Sequence, residues 1–98
     1  MATNETVTDN PSQKRYEMPL EGPSGPALAF VAYRRNGDVL SLDHAEVPPA
    51  LEGQGVGSRL VKATLDDIRA KGLKVIPRCG FVRAYLRRHP EYGDVMAG

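Results

Sequence analysis

The apolar positions of this 98-residue chain change period after Pro48-Pro49, and the change divides it into a strand-rich first half and a mainly helical second half. Residues 14–20 alternate, with Tyr16, Met18 and Leu20 on one side, which predicts a first strand. Residues 21–26 have turn composition, and the short apolar and aromatic run at 27–35 reads as a second strand. Asn36-Gly37 is a strong hairpin dipeptide. It leads into a third strand on which Leu40, Leu42, His44 and Glu46 are expected to share one face, and Pro48-Pro49 ends that strand. Beyond it Val56, Leu60, Val61, Leu65 and Ile68 fall at helical spacing. Arg59, Lys62, Asp66, Arg69 and the Asp67/Lys71 pair take the wet side, and Gly72 stands where a glycine ends a helix. Residues 73–77 predict a short strand, parallel to the third because a helix joins them. A second helix follows Cys79, with Phe81, Val82, Tyr85, Leu86 and His89 as its stripe and Pro90 as its stop. The order is three antiparallel strands, helix, strand, helix. It predicts one α/β (α+β) domain over residues 14–98, with residues 1–13 as a disordered polar tail.

Composition narrows the function classes. The chain is 41% hydrophobic and 26% charged, and its net charge of +1 draws it to neither nucleic acid nor membrane. No run of about 18 apolar residues is present to span a bilayer. The start, MATNETVTDNPSQ, has neither the basic residues nor the apolar stretch of a secretory signal, so a cytoplasmic location is expected. A single cysteine, Cys79, excludes an internal disulfide. Two separated histidines, His44 and His89, have no ligand spacing, so no metal is expected. Arg83, Arg87 and Arg88 bunch on the last helix, either as a solvated face or as an attraction for a ligand phosphate or an acidic substrate. Nucleic acid fits them poorly, because no aromatics are interleaved. Tyr85 and Tyr92 read as packing residues.

The chemistry centres on LEGQGVGSRLVK, residues 51–62, where Gly53, Gly55 and Gly57 alternate at a helix start. A Walker loop needs a lysine after its last glycine, and Ser58-Arg59 stands there instead. A dinucleotide fingerprint needs a third glycine three residues after the second and an acidic end to the next strand, and both are missing. Two readings remain on spacing alone: a flexible helix-entry loop, or a pyrophosphate cradle of free N–H groups at the positive end of the helix.

Glu52 to Gly57 resembles motif A of the GNAT superfamily of acyl-CoA-dependent N-acyltransferases, written Gln/Arg-x-x-Gly-x-Gly/Ala. With HAEVPP before the loop and PRCGFV after it, the chain is similar to the short stand-alone N-acetyltransferase-domain branch from about Tyr16 to Val95. The resemblance implies a minimal GNAT-like fold: a mostly antiparallel mixed sheet with a V-shaped splay and two main helices. It also implies acetyl-CoA as co-substrate and a small-molecule or protein amine as acceptor. By that resemblance the backbone of Gln54, Gly55, Val56, Gly57, Ser58 and Arg59 would hold the pyrophosphate. The pantetheine arm would run along Ala45, Glu46 and Val47, with a main-chain N–H near Glu46 or Val47 as oxyanion donor. Glu52 departs from the pattern, since a carboxylate adds no attraction for a phosphate.

Three residues are catalytic candidates. Cys79, at a helix start beside Arg78 and Arg83, reads as a nucleophile, as an acid for the leaving thiolate, or as a buried structural thiol. His44 and Glu46 read either as bases for an incoming ammonium or as structural groups, and a bulge would turn Glu46 outward. The alternative to an enzyme is an acyl-CoA-binding or vestigial acetyltransferase module with little turnover that acts through a partner.

Overall fold

The computed structural model describes residues 6–97, and residues 1–5 and 98 lie outside the described residues. Five strands follow one another in both sequence and space: β1 (Thr8–Asn10), β2 (Arg15–Gly22), β3 (Gly25–Asn36), β4 (Val39–Glu46) and β5 (Lys74–Pro77). The first four pair antiparallel and β5 pairs parallel to β4, as the helical crossover requires. That crossover is α1 (Val56–Ala70), and α2 (Gly80–Arg88) follows β5. Short 3₁₀ turns occupy Pro49–Leu51 and Pro90–Val95.

Each element buries the stripe its period dictates. Tyr16, Met18 and Leu20 of β2, Ala29, Val31 and Tyr33 of β3, and Leu40 and Leu42 of β4 enter one cluster with Leu60, Val61, Leu65 and Ile68 of α1. Val82, Tyr85 and Tyr92 join the same cluster, so the two tyrosines expected to pack do so. α1 stops where Gly72 adopts φ 70°. The Leu73 N–H reaches the Ile68 carbonyl and the Gly72 N–H that of Arg69, the paired bonds of a Schellman end.

The polar tail expected over residues 1–13 is corrected in part. Thr8, Asp9 and Asn10 pair with Glu17, Tyr16 and Arg15 as an edge strand. The Asn10 carboxamide oxygen accepts from the Ser12 hydroxyl and the Gln13 N–H, and Lys14 turns the chain at φ 56°. The strand is held from across the sheet, where the Tyr33 hydroxyl donates to Asp9 at 2.6 Å.

Tyrosine–aspartate bonds of this kind recur. Tyr16 donates to Asp67 at 2.7 Å and Tyr92 to Asp66 at 2.6 Å. Burial opposes ionisation of Asp67, but the Lys71 ammonium at 2.8 Å and the Tyr16 hydroxyl outweigh it and hold the carboxyl below its ordinary range. Asp66 is lowered in the same way, against burial, by Lys62 and Tyr92. A carboxyl depressed on folding contributes stability above its unfolded pKa and loses it as pH falls through the folded value. The stability of the domain should therefore decline below about pH 4. Asp67→Asn should flatten that limb and cost about 1 kcal/mol at neutral pH, a modest figure because the pair is part-exposed. Burial, then the bond to Asp9, pushes Tyr33 up to about 12, and Tyr16 and Tyr92 are raised as well. Their contribution is complete below about pH 10 and lost above it as the unfolded chain ionises. Urea unfolding across a pH series measures both limbs.

Candidate functional site

The site begins where β4 and β5 stop pairing. Their ladder runs only from Val39–Lys74 to Leu42–Pro77. Pro77 has no N–H to continue it. The next two donors, the N–H groups of Arg78 and Cys79, converge on the Leu42 carbonyl at 3.0 and 2.9 Å before α2 leads the chain away. β4 continues alone to Glu46, so past Leu42 its β5-side edge has no strand partner among the described residues.

β4 also carries a bulge at this point. Ala32 faces His44 and Tyr33 faces Leu42, which leaves Asp43 as the extra residue. Its carboxylate is held by Arg34 at 2.6 Å and by the Ser41 hydroxyl, and the Arg34 bond keeps its pKa low. One extra residue exchanges the two faces. The expectation that His44 and Glu46 share a face with Leu40 and Leu42 is therefore wrong: both side chains are exposed, 3.6 Å apart, and Ala45 and Val47 turn toward the core instead.

Across the fork the glycine loop enters α1. Gly53 and Gly55 adopt φ 80° and 77°, left-handed values that a side chain would strain, and Gly55 is the N-cap with no side chain capping the helix. The first-turn N–H groups thus have no intrahelical acceptor and face outward. Arg59 fixes the loop by donating to the Gln54 carbonyl at 3.0 Å. Gly57 serves differently. Its backbone is helical, and a Cβ there would lie 2.6 Å from Cζ of Phe81, so this glycine makes room for an aromatic ring from α2.

Loop, strand end and ring enclose a cavity of about 430 Å³. Of the expected ligand-binding residues, Ala45, Val47, Gly55, Val56, Gly57 and Ser58 line it, joined by Leu51, Glu52, Gly53 and Phe81. Glu46, Gln54 and Arg59 do not line it, nor do the catalytic candidates Cys79, His44 and Glu46. Cys79 is the N-cap of α2, half-buried at the base of the fork. Phe81 was legible only as a helix-stripe residue, since nothing local in PRCGFV marks its contact with Gly57, 24 positions earlier. Arg83 and Arg87 border a separate groove. Among the described residues no cluster of three or more potential metal ligands occurs, and no helix is long and apolar enough to cross a membrane.

A sheet forked beside an uncapped, glycine-rich helix start defines a GNAT-like fold, and the comparisons agree. Residues 15–95 match the family described as GCN5-related N-acetyl-transferase, and the chain belongs to that family. A GCN5-like N-acetyltransferase from Staphylococcus aureus, solved by NMR, superposes with a TM-score of 0.69 at 30% identity, over 99% of this chain and 92% of that one. Protein NATD1 of Danio rerio is 26% identical over 94 residues, 94% of this chain and 84% of the relative. The human NATD1 is 35% identical over 52 residues, so the match spans 53% of this chain and 46% of that protein. The chain thus spans about half the length of the mammalian and chicken relatives it matches.

The three glycines should separate by experiment. Gly53→Ala and Gly55→Ala should each cost about 1–2 kcal/mol, the strain of a left-handed alanine. Gly57→Ala should cost less, because the half-exposed ring of Phe81 can swing aside and alanine favours a helix by up to about 1 kcal/mol. It should instead disturb the cavity, visible as shifted Phe81 ring resonances. Denaturant unfolding of the three variants checks the order.

Proposed function

We propose that the chain binds acetyl-CoA at the fork and transfers the acetyl group to an amine. The observation that supports this reading most directly is the cavity in which the uncapped start of α1 meets the Ala45–Val47 end of a strand edge without a partner. An anion at that helix start would gain first-turn N–H bonds and the positive end of the dipole. An extended amide-bearing arm would find free backbone donors and acceptors along β4 past Leu42, as an added strand does. Ser58, which lines the cavity, offers a hydroxyl as well. Glu52 lines it too and opposes an anion, which leaves the backbone to supply the affinity.

In the transfer, the amine nitrogen bonds to the acetyl carbon, the carbon–sulfur bond breaks, and the ammonium proton must be removed. His44 and Glu46, side by side on the exposed face just beyond the fork, are the bases we assign to that proton. Cys79, at the base of the fork, is the group we assign to the leaving thiolate as acid, in keeping with direct transfer.

Acetyl-CoA at saturating concentration should raise the melting temperature by preferential binding to the folded state, and no shift would remove this reading. Cys79→Ala should keep the shift while lowering turnover by about 10²-fold or more, the usual worth of a positioned acid. Intact mass after incubation with acetyl-CoA distinguishes the routes: an added acetyl group lost in Cys79→Ala would make Cys79 a nucleophile rather than an acid. An assay of acetyl-CoA consumption beside the thermal shift separates an enzyme from a binding module, which would show the shift without consumption.

A further inference from the structure

The arginines of α2 are left unused by the fork. Phe81 and Arg83 are two residues apart, about 200° around the helix, so α2 shows one side to the glycine-loop cavity and another to a second groove. This groove has a volume of about 320 Å³ and lies between α2 and the C-terminal turn. Leu86, Pro77, Pro90 and Met96 supply its apolar lining, and Arg83 and Arg87 stand on its border one helical turn apart.

Cations elsewhere on the sheet and along α1 have partners at close range, backbone carbonyls for Arg35, Arg59 and Lys74 and carboxylates for five others. Arg15 is paired with Glu17, Arg34 with Asp43, Lys62 with Asp66, Arg69 with Asp94 and Lys71 with Asp67. The guanidinium groups of Arg83 and Arg87 have no hydrogen-bonding or ion-pair partner among the described residues. The acidic groups of the adjoining turn are engaged elsewhere, Glu91 with His89 and Asp94 with Arg69. The helix dipole accounts for Arg87 in the last turn, but not for Arg83, which sits in the first half of α2 where positive charge gains nothing from it.

We propose that this groove docks an acidic peptide segment of a partner protein, with its carboxylates on Arg83 and Arg87 and an apolar side chain against Leu86 and Met96. A simple anion would satisfy the guanidinium groups and leave the lining wet. A purely apolar ligand would desolvate the guanidinium groups without pairing them. Only an occupant with both kinds of group covers both. An open groove with Met96, 36% exposed, at its rim suits a chain laid along it rather than a small molecule enclosed on all sides. The i, i+2 carboxylates of an extended segment, about 6.6 Å apart, suit arginines one helical turn apart. The site is independent of the acetyl-CoA reading.

The probe is acetyl-Glu-Leu-Glu-Phe-Asp-amide, titrated into the full chain by ¹⁵N–¹H NMR. The amides of Arg83, Leu86, Arg87 and Met96 should shift together, and affinity should fall as salt rises. The Gln/Asn analogue of the peptide and an acidic peptide with serine in place of Leu and Phe should each bind about ten-fold more weakly. Arg83→Glu/Arg87→Glu should lose about ten-fold or more, and Arg83→Gln/Arg87→Gln should lose less. Both variants should melt with the parent, since both positions are exposed. Shifts at Gly53–Ser58 instead, or spread evenly over all basic residues, would overturn the proposal. So would equal binding of the uncharged peptide, or an oligonucleotide bound as tightly at the same amides.

Discussion

The Leu42 carbonyl accepts two backbone N–H groups, from Arg78 and Cys79, and the rest of the site depends on that convergence. A parallel ladder would ordinarily run on, each strand satisfying the other's backbone. Here Pro77 removes the next donor, and the two donors after it are consumed at one oxygen. β5 must leave the sheet, and the chain turns into α2, where the Cys79 carbonyl accepts the Arg83 N–H. β4 has no such exit. It continues to Glu46 with one edge paired to β3 and the other open, a situation usually avoided in small domains. The open edge is the cost of the fork, and it leaves unpaired backbone groups where the proposed acetyl-CoA arm would lie.

The bulge at Asp43 makes the opening usable. Without the extra residue, His44 and Glu46 would face inward and Ala45 and Val47 outward, which would bury two ionisable groups and expose two apolar ones. Arg34 and Ser41 hold the extra residue's carboxylate and so hold the exchange of faces. The glycines opposite then divide their work. Gly53 and Gly55 provide left-handed backbone that brings the uncapped helix start to the cavity, and Gly57 admits the ring that walls it. Alternating glycines thus meet two different physical demands, one torsional and one steric.

Much of the fold was legible because its determinants are local. The Asn36-Gly37 hairpin, the four-residue period of α1, the Gly72 stop and the parallel sense of β5 each follow from a few neighbouring residues. What escaped depends on partners far along the chain. β1 is short and polar, and its anchor is a tyrosine 24 residues away. The bulge has no signature in SLDHAEV, because it is set by how β3 and β4 register against one another. Phe81 reads as one more apolar residue until Gly57 is seen beneath it. The glycine loop itself was found from its spacing, but the spacing alone left a flexible entry as an equal reading; the positive φ angles and the cavity decide the geometry.

Glu52 is the residue that runs against this arrangement, and magnitudes show where its influence falls. Its side chain is exposed at the cavity rim, so its field passes through water and is screened over about 8 Å at physiological salt. First-turn N–H groups act at hydrogen-bonding distance, where each contact to an anion is worth about 1.5–3 kcal/mol. At 4 Å a unit charge in water opposes an anion by only about 1 kcal/mol. The carboxylate therefore slows the approach of an anion more than it loosens one already seated. A loop that relies on backbone donors tolerates that opposition, whereas a single attracting side chain would be largely cancelled by it. This balance makes the conformation of Gly53 and Gly55, rather than the charge at position 52, the determinant of whether the helix start can hold a phosphate.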